Sequence, residues 1–185
     1  DNANMTQTGT IECPNDMVSI DSFCVDRYEY PNRKDIEPLM DLSYTTAMER
    51  CKDAGKHLCS GQEWMRACGG SELRRWPYGN TYEVDACHDL GSQTAEGGGG
   101  TVPSGSMPSC CTPEGVCDMS GNLWEWTGGE PGAKSGIMRG GGWNLSAGLG
   151  QCRAKAKAQA DYHAGETGAR CCATAEEVAL LKEAQ

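Results

Sequence analysis

The sequence predicts a single loop-rich domain that combines short helices with short strands and is braced by disulfides. Glycine is abundant, with 25 copies in 185 residues, and aromatic residues are only 6% of the chain, so long irregular connections are expected. Short segments with helical spacing lie among segments in which apolar and polar residues alternate, as they do in strands. Twelve cysteines can supply stability that core volume alone does not.

The cysteines are even in number, and none forms a C-x-x-C pair. The three histidines are scattered along the chain, at His57, His88 and His163. Because zinc sites usually show paired ligands at short spacing, this pattern favours six disulfides in an oxidising compartment. Because they are close in sequence, we expect Cys87 to pair with Cys110 or Cys111. We then expect Cys117 to pair with the other of these two or with a neighbouring cysteine.

Acidic residues outnumber basic ones by 26 to 16, which gives a net charge of -10. This charge repels nucleic acid and anionic lipid, so we expect neither as a partner. No apolar stretch approaches the length of a membrane-spanning helix, so membrane insertion is not expected either. The chain begins Asp1-Asn2-Ala3, and we expect a mature secreted or cell-surface form whose leader has been removed or left out.

Three helices are predicted, over residues 44–54, 61–67 and 174–185. The first ends before Gly55, which suits a helix C-terminus. The second and third each begin with a capping box, formed by Ser60 with Glu63 and by Thr174 with Glu177. The third helix is marginal alone in water, so it must pack on its own domain or on a partner.

Strands are predicted where apolar and polar residues alternate. A hairpin lies between Cys13 and Cys24 and would be closed by a disulfide between them. Its second strand continues over Val25–Tyr30 and is stopped by the proline that follows. Residues 152–160 alternate strictly and predict a half-buried strand, whose basic outer face is taken as solvated rather than anion-binding. Residues 1–11 form a polar arm, either a disordered tail or an extended strand that pairs with a neighbouring copy.

Two tryptophans and two acidic residues fall within residues 117–126. Ser120-Gly121-Asn122 predicts a turn, and Leu123–Trp126 predicts a short strand whose indoles share one face while Glu125 faces the other way. Glu125 could then reach back to Asp118 around the turn. Two carboxylates and free turn carbonyls make an all-oxygen site of the kind that Ca²⁺ prefers. The alternative is a capped turn with solvated acids.

Several blocks of the chain resemble the formylglycine-generating enzyme (sulfatase-modifying factor) family, in the order in which that family has them. Asp118–Thr127 is followed by Arg139–Trp143 and by Gly168–Cys171. The matching upstream blocks are Val25–Pro31, Gly55–Cys59, Glu63–Cys68 and Pro77–Asn80. The resemblance covers residues 12–173, which leaves 1–11 as an N-terminal arm and 174–185 as a C-terminal helix outside it.

The resemblance implies an irregular α+β domain with a C-type-lectin-like fold. It also implies a structural calcium ion, bound by the side chains of Asp118 and Glu125 and by the carbonyl oxygens of Gly121 and Leu123. It further implies two disulfides between the helices and the C-terminal strands, Cys51–Cys171 and Cys68–Cys152. A pair between Cys59 and Cys172 would complete the set of six.

Catalytic relatives in this family oxidise a substrate cysteine to formylglycine with copper, which requires two cysteines shortly after a Gly-Gly-x-aromatic block. Here that block is Gly141-Gly142-Trp143, and no cysteine follows it until Cys152, which matches a structural position. A second branch of the fold uses iron bound by histidines, whose spacing this chain lacks. No hydrolytic triad can be singled out. We therefore predict neither a copper site nor catalysis.

These inferences together predict a non-catalytic extracellular module stabilised by disulfides and calcium. It would display loops 89–112 and 128–150 for binding an extracellular ligand or for structural self-assembly. Residues 1–11 and 174–185 are candidates for homo-assembly into rings or filaments, the alternative being two frayed ends on a monomer. The alternative functions are a divergent copper-dependent formylglycine-generating oxidase and a carbohydrate-binding lectin-like protein.

Overall fold

The computed structural model describes residues 10–92, 99–146 and 148–183. The three α-helices in these ranges are Tyr44–Asp53 (α1), Gly61–Gly69 (α2) and Ala175–Glu183 (α3). Their strands are Met17–Ile20 (β1), Phe23–Asp26 (β2), His57–Leu58 (β3), Trp124–Thr127 (β4), Ser135–Arg139 (β5), Ala156–Gln159 (β6), Thr167–Ala169 (β7) and Cys171–Ala173 (β8). No helix in the described part of the chain has the length and apolar character needed to span a bilayer.

The strands form two four-stranded sheets. The first has the order β1-β2-β8-β3, and the second has the order β6-β5-β4-β7. Paired strands are antiparallel except β4 and β7, which run parallel with Trp124 opposite Thr167. The chain passes from β7 in the second sheet to β8 in the first across a single residue, Arg170, which is fully buried. The two sheets therefore meet at Arg170.

The helices begin where the capping residues predict. The Ser60–Glu63 capping box has both of its hydrogen bonds, and α2 extends beyond the predicted end to Gly69. At the start of α3, Thr174 N donates to Glu177 at 2.8 Å and Glu177 N donates back to the Thr174 hydroxyl at 3.3 Å. Val178 of α3 is 3% exposed and packs against β1, β2 and β8, so this helix docks on its own domain.

Two predicted strands are shorter than expected, and one strand forms where a loop was expected. The strand predicted to reach Tyr30 ends at Asp26, because residues 28–32 form a turn in which the Asn32 side chain accepts from Tyr28 N at 3.0 Å. The strand predicted over residues 152–160 begins only at Ala156. Its first residues are held elsewhere, since Cys152 N donates to Arg75 O and Ala154 N closes a turn. Residues 135–139, expected within a loop, form β5 and pair with β4.

Six disulfides pair all twelve cysteines. Three of them close long stretches of chain, namely Cys51–Cys171, Cys59–Cys172 and Cys68–Cys152, with sequence separations of 120, 113 and 84. The shorter closures are Cys13–Cys24, Cys87–Cys110 and Cys111–Cys117. In the chain-entropy model each long closure stabilises a fold by about 5 kcal/mol. This bracing suits a chain whose apolar core is divided among three clusters.

Candidate functional site

A buried ion pair lies between the two sheets. The Arg170 guanidinium donates to the Glu125 carboxylate from Nη2 at 2.7 Å and from Nε at 3.0 and 3.2 Å, and neither side chain is exposed. The Trp64 indole donates to the other side of Glu125 at 2.6 Å. The remaining guanidinium nitrogen donates to Asp26 O at 3.0 Å. Both oxygens of Glu125 therefore already accept hydrogen bonds within the protein.

Two more carboxylates join this pair, and we call Glu29, Asp118, Glu125 and Arg170 the carboxylate cluster. Glu29 is fully buried and accepts from Leu123 N at 3.1 Å. Burial, with Asp118 and Glu125 nearby, raises the pKa of Glu29 well above its ordinary value. Asp118 accepts from Gly105 N at 2.7 Å, and burial raises the pKa of Asp118 to about 6. Three carboxylates thus face one guanidinium, so the cluster carries an excess of acid.

The four residues expected to bind calcium lie around this cluster. Gly121 has a φ of 74° and Asn122 a φ of 57°, so the expected turn is present before β4. Glu125 faces away from the β4 tryptophans, as alternation predicts, but its partners are Arg170 and Trp64 rather than Asp118. Within the described ranges, no three His, Cys, Asp or Glu residues are grouped closely enough to hold a metal ion.

The donor chemistry of this turn nevertheless fits calcium, since carboxylate and carbonyl oxygens are hard ligands. The excess of acid in the carboxylate cluster also favours a cation near Asp118. Glu125 already accepts from Arg170 and Trp64, so it would share any ion with these donors. The residues that would hold the ion are Asp118 and Glu125 through their side chains and Gly121 and Leu123 through their carbonyl oxygens.

Asn122 joins the two long loops. Its side chain accepts from Val102 N at 2.9 Å and donates to Glu29 at 2.7 Å, while its backbone oxygen accepts from Trp143 N at 2.9 Å. Its backbone N–H donates to His88 O at 2.8 Å. The loops therefore meet as one surface, which we call the loop face and define by its described residues as 89–92, 99–112, 140–146 and 148–150.

Several groups on the loop face lack partners within the described chain. The Trp143 indole nitrogen and the Asn144 side-chain oxygen are buried and make no hydrogen bond to the described residues. Leu90 and Leu149 are 61% and 41% exposed, although both are large apolar residues. Trp143 packs its ring against Gly99 of the neighbouring loop, where a side chain would clash with it. Polar groups without partners beside exposed apolar ones are typical of binding surfaces.

The cysteines all form disulfides, and the three histidines lie apart from one another with different partners. Cys152, the first cysteine after Gly141-Gly142-Trp143, is bonded to Cys68, and no cysteine of the chain is free. His57 lies between Glu63 and Glu177, with nitrogen–oxygen distances of 3.1 and 2.7 Å. His88 lies 2.8 Å from Gly100 O, and His163 lies 2.8 Å from an exposed Asp41, so each histidine has its own network.

Three residues that hold this region together were not predicted from the sequence. Glu29 and Arg170 complete the carboxylate cluster, and Asn122 connects the loops. For Glu29 and Arg170 the available signal was a charged residue next to an aromatic residue or a cysteine, as in Tyr28-Glu29-Tyr30 and Ala169-Arg170-Cys171. A charge in such a setting is buried when its neighbours are buried, and it then needs a partner.

The fold and this site define a C-type-lectin-like α+β domain, braced by disulfides and built around an acidic turn. A family model described as "Sulfatase-modifying factor enzyme 1-like domain" matches residues 26–175, and the chain belongs to this family. The family resemblance and the fold class predicted from the sequence are both confirmed.

Curated relatives include enzymes and a protein named as inactive. Formylglycine-generating enzyme of Bos taurus is 27% identical over 165 residues, covering 74% of this chain and 44% of that protein. Hercynine oxygenase of Mycobacterium tuberculosis is 34% identical over 96 residues, covering 49% and 21%. Inactive C-alpha-formylglycine-generating enzyme 2 of Bos taurus is 28% identical over 116 residues, covering 57% and 38%. The chain thus spans less than half the length of these relatives.

Solved structures share the fold at low sequence identity. Treponema denticola variable protein 1 matches with a TM-score of 0.67 and 12% identity, covering 90% of this chain and 92% of that one. PvdO from Pseudomonas aeruginosa matches with a TM-score of 0.68 and 16% identity, covering 90% of both. Major Tropism Determinant U1 variant matches with a TM-score of 0.64 and 15% identity, covering 91% and 55%.

Proposed function

We propose that this protein is a non-catalytic extracellular module whose loop face binds a ligand. The observation that carries the proposal is the pair of buried polar atoms on Trp143 and Asn144, which have no partner among the described residues. Asn122 holds the two loops together, so the half-buried residues Trp143 and Asn144 belong to a surface that is organised before a ligand arrives. A pre-organised surface loses less conformational entropy when it binds.

The state of the cysteines supports a binding role over copper-dependent oxidation. A Cu(I) centre requires thiolate ligands, and every cysteine here is in a disulfide. Oxidase chemistry would first require a disulfide to open. The family includes a relative named as inactive, so loss of catalysis has a precedent within it. The six disulfides also support an extracellular or other oxidising location.

The proposal is tested with printed arrays of purified glycans and purified extracellular proteins. We expect at least one ligand whose binding is lost in Trp143→Ala and in Asn144→Ala but kept in Lys157→Ala, which changes the exposed face of β6. A parallel assay measures oxygen consumption on cysteine peptides with added copper. Robust turnover, or array binding that neither loop-face variant alters, would overturn the proposal. Glycan ligands alone would favour the lectin-like alternative.

Calcium is proposed as a structural ion at the acidic turn, on the basis of the excess acid in the carboxylate cluster. We expect calcium to raise the melting temperature of the protein and a chelator to lower it. Asp118→Ala should lower the melting temperature and remove its dependence on calcium. Asp53→Ala, at the exposed end of α1, is the matched control and should keep that dependence. An unchanged wild-type melting curve in chelator would contradict calcium binding.

Homo-assembly through the chain ends is a second proposed role. Residues 1–9 of the expected arm lie outside the described residues, and Ile11 O accepts from the Ser19 hydroxyl at 2.8 Å. Helix α3 docks on its own domain but leaves Leu180 65% exposed, and that side chain supports a contact between copies. Light scattering on the intact protein and on a deletion of residues 1–11 tests the arm. An intact protein that is monomeric at high concentration would rule out this role.

A further inference from the structure

A cavity of about 460 Å³ opens beside α2, and none of its lining residues belongs to the loop face. We call it the arginine pocket, and it is lined by Gln62, Met65, Arg66, Gly69, Leu73, Arg74, Cys152 and Arg153. Its volume lies in the range of small-molecule sites in proteins. The residues come from α2, from the turn after it and from the segment that the Cys68–Cys152 disulfide ties to that helix.

The interior of the arginine pocket is apolar. Met65 is partly buried and packs on the core cluster that contains Cys68 and Cys152. Gly69 lets the Arg74 backbone approach α2 closely, since an added Cβ at this position would come within 3.1 Å of Arg74 O and 3.8 Å of Cys152 Cβ. A thioether, a disulfide and a leucine make a surface that favours an apolar ligand group over water.

Leu73 stands at the mouth of the pocket in an unfavourable backbone conformation. Its φ is 57°, in the left-handed region that costs energy for any residue with a Cβ. Its side chain is nevertheless 59% exposed, so burial in the core does not offset this cost. Glycine would adopt the same conformation freely. An exposed leucine held at a strained position therefore points to a contact that the free protein does not make.

The charged residues of the lining are all cationic. Arg66 is paired with Asp21, and Arg74 is paired with Glu114 at 2.8 Å. The Arg74 side chain is only 7% exposed, yet its Nε makes no hydrogen bond to the described residues. Arg153 is exposed and has no ion pair within the described chain. The Arg153 guanidinium is therefore free to bind an anion. Arg74 has in addition a buried Nε–H donor without a partner among the described residues.

An adjoining cavity of about 300 Å³ extends the same surface. It shares Leu73 and Arg153 with the arginine pocket and adds Arg75 and Gln151. The lining of the two cavities contains no acidic residue, although the whole chain has a net charge of -10. This local reversal of charge favours a negatively charged ligand over a neutral or cationic one.

We propose that the arginine pocket binds an amphipathic organic anion, a carboxylate with an unbranched aliphatic tail. The carboxylate pairs with the Arg153 guanidinium, whose planar fork matches the two carboxylate oxygens. The tail lies along Met65 and the disulfide, and Leu73 covers it. This site is separate from the loop face, so its ligand is additional to the one proposed there.

The test is isothermal titration calorimetry of the whole protein with hexanoate, octanoate and decanoate. We expect the dissociation constant to fall about fourfold for each added methylene, as burial of one CH₂ predicts, until the tail fills the cavity. Acetate and decan-1-ol supply the charge and the tail separately, and each should bind at least about tenfold more weakly than decanoate. Equal binding of decan-1-ol and decanoate would overturn the anion assignment. A complete lack of decanoate binding would overturn the site.

Three variants locate the binding. Arg153→Gln should weaken decanoate binding by about tenfold or more, through loss of a charge-assisted hydrogen bond. Leu73→Gly should weaken it too without lowering the melting temperature, because glycine relieves the strained φ. Lys157→Gln on β6 and Trp143→Ala on the loop face are controls that should bind decanoate as the wild type does. Binding that survives both pocket variants unchanged would place the ligand elsewhere and refute the proposal.

Discussion

The guanidinium of Arg170 lies 2.7 Å from the carboxylate of Glu125, and both side chains are fully buried. Glu125 belongs to β4 of one sheet, and Arg170 connects β7 of that sheet to β8 of the other. The same guanidinium donates to the backbone oxygens of Asp26 and Cys117, at 3.0 and 2.8 Å. One side chain thus links both sheets to the acidic turn.

Loss of Arg170 should be severely destabilising. Arg170→Met leaves Glu125 buried without its cation, so we expect the free energy of unfolding to fall by about 3–5 kcal/mol. Urea unfolding of the disulfide-intact protein measures the change. Arg50→Met on the exposed side of α1 is the control, expected within about 0.5 kcal/mol of wild type. Equal stability of the two variants would contradict a structural role for the ion pair.

Asn122 offers a sharper test of the carboxylate cluster. Its amide nitrogen donates to Glu29 at 2.7 Å, so Asn122→Asp would place a carboxylate against a buried carboxylate. We expect Asn122→Asp to lose about 2–4 kcal/mol of stability, and more than Asn122→Ala, although aspartate is the closer match in shape. Limited proteolysis should also cut more readily near residues 99–102 in Asn122→Ala, because Val102 N loses its acceptor, whereas the carboxylate of Asn122→Asp can still accept that hydrogen bond. The reverse order of stabilities would contradict this account.

The docking of α3 should depend on pH through His57. Burial alone would lower the pKa of His57, but its hydrogen bonds with Glu63 and Glu177 outweigh burial and raise that pKa above 6.5. A group whose pKa is raised by folding stabilises the fold fully below its unfolded pKa of 6.5, and that stabilisation is lost as pH rises through the raised value. The effect should be modest, below about 1 kcal/mol, because these side chains are partly exposed.

Hydrogen exchange of the α3 amides measures this dependence directly. Their protection should decrease in the wild type as the pH rises above 6.5 and through the raised pKa of His57, beyond the intrinsic change of exchange rate. His57→Gln should abolish the difference. His163→Gln, which changes an exposed histidine paired with Asp41, should leave it intact. A pH dependence that persists in His57→Gln would show that another group causes it.

The turn before β4 should not tolerate a side chain at Gly121. Its φ is 74°, and an added Cβ would lie 2.2 Å from the carbonyl oxygen of His88. We expect Gly121→Ala to cost more than about 3 kcal/mol, because both the backbone and the neighbouring loop must move. Gly129→Ala is the matched control, since a Cβ there meets nothing within 4 Å. Thermal unfolding compares the two, and a near-neutral Gly121→Ala would show that the loops adjust freely.

Features set by residues close in sequence were predictable. The Ser60–Glu63 capping box could be read from the chain because its partners are three residues apart and need only a helix to meet. The turn at Gly121 and Asn122 was readable for the same reason. Alternation also showed that Glu125 faces away from the β4 tryptophans, but alternation carries no information about the residue that it meets.

Features set by distant residues were not predictable from patterns. The partner of Glu125 is 45 residues away on the far side of β7, so the ion pair exists only once both sheets are assembled. The early end of β2 has a similar cause. Val25–Tyr30 looks continuous in sequence, but the chain turns after Asp26 and thereby aims Glu29 at Asn122, 93 residues further on. Tertiary contacts of this kind override local strand propensity.

The neighbouring cysteines of β8 have a consequence for the chemistry of the whole molecule. Cys171 and Cys172 are bonded to different partners, Cys51 and Cys59, and all four residues have no exposed surface. A dissolved thiol can attack these bonds only when the molecule opens, whereas Cys13 and Cys111 are partly accessible in the folded state. The rate at which reductant releases these four thiols therefore reports how often the fold opens.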